Sequence, residues 1–158
     1  MNTRKLTVLT LAALCLLAAA PQVLAHCQVP CGIYGDQTRV EILREHVTTI
    51  EKSMNQIVEE GKQDKPNWNQ LVRWVENKEV HADELTEIVT YYFLTQRIKP
   101  AKDGDAEGAK KYQHELTLLH HMMLHAMKAK QTTDLAHVEK LRSLIDAFEK
   151  SYFGEHTH

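Results

Sequence analysis

The stretch QTRVEILREHVTTIEKSMNQIVEE, residues 37–60, decides the fold. Its apolar side chains Leu43, Val47, Ile50, Met54 and Ile57 recur at intervals of 4, 3, 4 and 3 residues. That spacing lines one face of an α-helix and does not fit the alternation of a half-buried strand. Gly61 is placed to end the helix, and Lys62 to Pro66 read as a loop. The same periodicity continues along the chain. A second helix is expected from about Asn67 to Ile98, with Leu71, Trp74, His81, Leu85, Ile88 and Tyr92 on or near one face. The loop KPAKDGDAEG, residues 99–108, breaks the pattern with proline, glycine and aspartate. A third helix is expected from about Ala109 to Lys130, carrying Tyr112, Leu116, Leu119, Met123 and Ala126. Thr133 or Asp134 suits the cap of a fourth, whose inward residues Val138, Leu141, Ile145, Phe148 and Tyr152 are spaced 3, 4, 3 and 4. No segment sustains strand alternation, and there is no internal repeat. The expected fold is all-α: an up-down four-helix bundle with the apolar stripes as its core.

The residues before the bundle have a different character. Arg4 and Lys5 precede a largely apolar run of fifteen residues, Leu6 to Ala20, and Pro21 breaks it. Val23 and Ala25 stand at the −3 and −1 positions of a cut after Ala25, the pattern of a secretory signal peptide. The run is shorter than the ~20 residues a membrane span needs. Leu14 stands before Cys15 where a lipid-anchored form has a small residue, so Cys15 is expected to leave with the leader. Residues 1–25 are therefore read as a signal peptide, and residues 26–158 as one exported domain, periplasmic or extracellular, with no membrane attachment after the signal is removed. Loss of Arg4 and Lys5 takes the formal net charge from −2 to −4, which argues against a general nucleic-acid binder.

Cleavage exposes the most chemically dense stretch of the chain, HCQVPCGIY, residues 26–34. A free α-amine has a pKa of about 8 and becomes a ligand when it loses its proton. The His26 amine and the Cys27 amide nitrogen chelate one metal in a five-membered ring, and the same amide with the Cys27 thiolate closes a second. Cys31, four residues on, folds back to supply another thiolate. The donor set is two nitrogens and two sulfurs, with the His26 imidazole within reach of the axial position. Zinc favours tetrahedral sites and seldom uses a backbone amide; tetragonal geometry with strong donors points to nickel(II) or copper(II). Thiolates and an ionised amide make the +3 state easier to reach, which suits one-electron redox catalysis. Pro30 restricts the turn that returns Cys31 to Cys27, Gly32 and Gly35 ease the exit from it, and Tyr34 stands near the open face. The other reading of the two cysteines is a Cys27–Cys31 disulfide, which closes so small a loop that it stabilises little.

HCQVPCGIY resembles the HCxxPCGxY nickel hook of the nickel superoxide dismutase family. The resemblance implies a hook over residues 26–36, a nickel ion as cofactor, superoxide as substrate and a four-helix bundle assembled as a homohexamer. By the same resemblance, His26, Cys27 and Cys31 are the metal ligands, Tyr34 guards the approach to the metal, and the Val29–Pro30 bond is cis. Glu41 is the residue implied to orient the His26 imidazole by a hydrogen bond, and Tyr92 a second tyrosine near the active site. An arginine on the second helix is also implied, with Arg73 the candidate by type and Asn77 the residue in register. Gln28 stands where some members have an acidic residue, and the Sec-type leader departs from well-known members.

Two alternatives frame this expectation. One is an exported, non-enzymatic metal-binding helical bundle. His114, His121 and His125 share a face of the third helix beside His120, although no HExxH motif is present because Leu118 follows His114-Glu115 at the decisive position. His156 and His158 form a tail able to bind metal adventitiously. The other is a structural bundle with the cysteines oxidised.

Overall fold

The computed structural model describes residues 35–154. The leader, the hook donors His26, Cys27 and Cys31, Tyr34 and the residues after Gly154 lie outside the described part. Among the described residues there are four α-helices and no strand: α1 (Asp36–Gly61), α2 (Trp68–Glu87), α3 (Ala106–Gln131) and α4 (Ala136–Phe153). α2 runs on without a break into a π-helical segment, Ile88–Arg97. α1 packs on α2 and α4, and α3 packs on α2 and α4, so consecutive helices are neighbours around one core. The expected bundle is the observed one.

The helix starts follow from local chemistry. Gly35 precedes α1 with φ +78°, a conformation that side-chain-bearing residues rarely adopt. Asp36 then places a carboxylate in the first turn, where the helix dipole favours negative charge. Asn67 Oδ1 accepts the Gln70 amide at 3.3 Å and starts α2. Asp105 Oδ1 accepts the Gly108 amide at 2.8 Å, so α3 begins at Ala106, three residues earlier than its apolar pattern suggests. Asp134 Oδ1 accepts the Ala136 amide at 2.9 Å, which makes Asp134 the residue that satisfies the start of α4.

The core takes Leu43, Val47, Ile50 and Met54 from α1, Leu85 from α2, Leu119 and Ala126 from α3, and Val138, Leu141, Ile145 and Phe148 from α4, all fully buried. Val89, Tyr92 and Phe93 of the π-helical segment complete it. Phe93 meets Phe148 edge-on with ring centroids 4.9 Å apart, a favoured arrangement of aromatic quadrupoles.

Ile57, Leu71 and Trp74 are only half-buried, and Lys78 explains why. Its ammonium, at a buried position, donates to the carbonyls of Lys130 at 2.5 Å and Thr132 at 3.2 Å, closing the C-terminal end of α3. The part of α2 before Lys78 therefore extends past α3, and only α1 covers it. In that overhang Trp68 and Val72 remain 68% and 61% exposed. Tyr112, Leu116, Met123 and Tyr152 also sit at the rim of the core and not inside it.

The continuous α2 expected to Ile98 is replaced in its last third by wider turns. Ile98 donates to the Phe93 carbonyl at 3.0 Å, Thr95 Oγ1 to the Thr90 carbonyl at 2.8 Å and Gln96 Nε2 to the Tyr91 carbonyl at 2.7 Å, each spanning five residues. Polar side chains that return to carbonyls five residues back favour the wide turn over the α-helical one.

Truncation of the aromatic centre tests this core. Phe148→Ala is expected to lower unfolding free energy by about 3–5 kcal/mol in denaturant titration, whereas Val72→Ala on the overhang is expected to change it by under about 0.5 kcal/mol.

Candidate metal centre

Two residues past Tyr34, the Asp36 carboxylate gathers three elements. The Tyr92 hydroxyl donates to its Oδ1. Arg97 Nε donates to the same oxygen at 2.8 Å, and the Tyr152 hydroxyl donates to Oδ2 at 2.7 Å. Arg97 also donates to the Tyr92 hydroxyl at 3.1 Å. The π-helical turn is what makes this possible. Tyr92 and Arg97 are five residues apart, and on an α-helix neighbours are three or four apart. Widening the turn brings the fifth residue onto the same face.

Charge surrounds the Tyr92 ring. The Arg39 guanidinium lies 5.2 Å from its centroid and that of Arg97 lies 4.7 Å from it, both within cation–π range. Burial works to raise the Asp36 pKa, but the bonds donated by Tyr92, Arg97 and Tyr152 outweigh it and hold the carboxyl below its ordinary value of 3.8. Burial and the bond to Asp36 push both phenols, Tyr92 and Tyr152, above the ordinary tyrosine value. The bond to Asp36 raises the Arg97 guanidinium. At neutral pH this cluster therefore holds an ionised Asp36 carboxylate paired with Arg97 and two protonated phenols, with the Glu149 carboxylate close by, bonded to Gln37 and Arg44.

Of the residues singled out from sequence, Tyr92 is buried in this cluster at the hook end of the bundle. Glu41 lies on an exposed position of α1, and its implied partner His26 is outside the described residues. Arg73 is exposed on α2, and Asn77 donates to Ser53 Oγ at 2.9 Å. Ser53 stands twelve residues beyond Glu41 on α1, about 18 Å along the axis. Within one chain, the arginines brought to the hook end are Arg39 and Arg97, not Arg73. The histidine face of α3 does not close on a metal among the described residues: His114, His120 and His121 are exposed, and His125 turns to α4, with its Nδ1 3.2 Å from that of His137.

Asp36, Arg97 and Tyr152 were not legible as a group. Asp36 reads as an ordinary first-turn acid, Tyr152 as the last member of an apolar stripe, and Arg97 stands at a spacing from Tyr92 that an α-helical reading sends to another face.

A helical bundle whose first helix follows directly on a histidine- and cysteine-rich segment, and whose adjoining end carries tyrosines and arginines, has the make-up of a helical metalloenzyme. The chain belongs to the nickel-containing superoxide dismutase family, whose model matches residues 21–156 and so takes in His26, Cys27, Cys31 and Tyr34. It is an oxidoreductase that uses nickel and acts on superoxide, which sets aside the non-enzymatic and purely structural alternatives. No individually curated protein and no solved structure gave a match to the chain.

Asp36→Asn is expected to cost roughly 1–3 kcal/mol of unfolding free energy at pH 7, the range for hydrogen bonds to a charged group. Because the folded protein holds this carboxyl below 3.8, its stabilisation is complete above that value and is lost as pH falls through the lower folded value. The difference between wild type and Asp36→Asn in urea titrations is therefore expected to shrink below about pH 4; a difference that is constant with pH would contradict the assignment.

Proposed function

We propose that this chain is an exported nickel superoxide dismutase whose metal is held by the N-terminal hook, residues 26–36, after removal of residues 1–25. The observation that carries the reading is the donor set itself. His26, Cys27 and Cys31 lie within the family match and directly behind a signal-peptidase pattern. Amine, ionised amide and two thiolates would give nickel the strong, sulfur-rich donor set that it accepts, with the His26 imidazole as a further nitrogen donor. The residues fit the metal that the family uses.

The overall change is that two superoxide ions and two protons give one dioxygen and one hydrogen peroxide. Nickel bound at the hook would supply the one-electron chemistry of this reaction. The chain supplies the rest. His26, Cys27 and Cys31 hold the ion, Pro30 and Gly32 shape the return of the second thiolate, and Tyr34 holds water or the small anion at the open face. Asp36 ties the end of the hook to the π-helical segment and to α4. Tyr92 and Tyr152 both donate to Asp36, so they stay protonated and act as anchors and not as proton relays. Glu41 orients the His26 imidazole.

Electrostatics supports anion capture at this end. The mature chain is net negative and repels superoxide on average, but Arg39 and Arg97 bring two guanidiniums together against the Tyr92 ring. A local positive field raises the encounter rate of an anionic substrate in a salt-dependent way.

Location and assembly belong to the same proposal. The leader directs export to the periplasm or the extracellular space. Among the described residues no helix is long and apolar enough to cross a membrane. Trp68, Val72 and Val75 form an exposed apolar stripe on the α2 overhang, which supports self-association, with a homohexamer the assembly implied by resemblance.

Four variants test the site. Cys27→Ser and Cys31→Ser are each expected to abolish nickel retention and superoxide consumption. An alanine inserted between Ala25 and His26, left on the mature chain, is expected to lower activity at least about 100-fold by displacing the amine from the chelate ring. Arg39→Gln is expected to lower kcat/KM and weaken its salt dependence while nickel content stays at one per chain. Full activity in Cys27→Ser contradicts the hook; an unchanged salt dependence in Arg39→Gln contradicts the steering role.

A further inference from the structure

About halfway along α1, away from the hook end, the described residues contain one group of three close metal-type donors: His46 of α1 with His81 and Glu84 of α2. His46 is buried in the α1–α2 interface, His81 is half-buried and Glu84 reaches the surface one turn further on. The Nδ1 atoms of the two histidines stand 2.8 Å apart. Glu84 Oε2 is equidistant from them, 3.5 Å from His46 Nδ1 and 3.5 Å from His81 Nδ1.

A hydrogen bond between the imidazoles accounts for the short side of this triangle, and the other two are long charge contacts from one carboxylate oxygen to both rings. At 3.5 Å the carboxylate oxygen is too far to bond either ring well, yet it lies on the perpendicular bisector of both. A four-coordinate metal accounts for the equidistant carboxylate oxygen, with the two imidazole nitrogens about 0.5 Å closer than in an ideal tetrahedral site. Tetrahedral zinc with ligand bonds of about 2.0–2.1 Å separates its donors by about 3.3 Å. The circumradius of a triangle with sides 2.8, 3.5 and 3.5 Å is about 1.9 Å, so an ion lying roughly 0.7 Å out of the plane sits about 2.0 Å from every donor.

We propose that His46, His81 and Glu84 form a second, zinc-type divalent-cation site that clasps α1 to α2, with its fourth position open to solvent on the Glu84 side. Two imidazoles and one carboxylate are borderline donors suited to a four-coordinate ion, in contrast to the sulfur-rich, tetragonal hook. His46 is ten residues beyond Asp36, about 15 Å along α1, so the two sites do not compete for ligands. The placement follows from sequence spacing. His81 and Glu84 are an i, i+3 pair on one helix face, and His46 lies on the face of α1 that α2 covers.

The test uses the secreted, nickel-loaded protein incubated with zinc(II), desalted and assayed for both metals. Wild type is expected to retain one zinc per chain beside its nickel, and zinc is expected to raise its Tm. Glu84→Gln alters only an exposed side chain, and His81→Gln a half-buried one; each is expected to weaken zinc retention at least about 10-fold and to abolish the Tm shift, with nickel content unchanged. His114→Gln and His125→Gln are expected to behave as wild type. Cobalt(II) in place of zinc is expected to give tetrahedral visible bands in wild type and not in Glu84→Gln. Failure of wild type to hold zinc, or equal retention by Glu84→Gln and His81→Gln, which means adventitious binding at other histidines, overturns the proposal. Loss of nickel from every sample would count against the hook and not against this site.

Discussion

The carboxylate of Asp36 is the constraint on which the active end of this protein depends. It stands at the first residue of α1, shortly after the segment that contains Cys27 and Cys31. Its two oxygens take bonds from the π-helical segment through Tyr92 and Arg97 and from α4 through Tyr152. The start of the bundle is fixed by a charged, three-donor junction that joins α1, the π-helical segment and α4. The same donors have a second effect. Arg97, together with the two phenols, keeps the carboxylate ionised.

The π-helical turns are the structural device behind that junction. An α-helical continuation keeps the Val89, Tyr92 and Phe93 stripe in the core and sends Arg97 to another face. The wider turn lets Tyr92 and Phe93 both stay buried while Arg97 comes round to the Tyr92 hydroxyl. Such turns are rare and tend to occur at functional sites. In this bundle the wide turn connects the aromatic core around Phe93 and Phe148 to the polar cluster beside the hook, so packing and chemistry share one segment.

Much of this was legible in the amino-acid order, for physical reasons that also mark where legibility stopped. The 4, 3, 4, 3 stripe of α1 reports a helix buried along one side, and Leu43, Val47, Ile50 and Met54 are buried as that pattern requires. Ile57 continues the pattern but lies in the overhang, whose extent depends on where Lys78 meets the end of α3, a fact of helix register and not of periodicity. A hook donor set can be proposed from sequence alone because chelation by adjacent atoms is a local property of the chain. Asp36, Arg97 and Tyr152 were not, because a network drawn from three elements depends on their relative placement and on a change of helical pitch. The triad His46, His81 and Glu84 was hidden for the same reason: only the antiparallel register of α1 and α2 joins its two halves.

In the proposed mechanism, catalysis rests on a free His26 amine meeting two thiolates around one nickel, at the end of the bundle that Asp36 organises. The most direct measurement is N-terminal sequencing of the purified exported protein together with its nickel content and the redox state of Cys27 and Cys31. The expected result is a chain that starts at His26, carries one nickel per chain and has both thiols bound to metal. An active protein that starts at any other residue, or that carries a Cys27–Cys31 disulfide while still consuming superoxide, would contradict it.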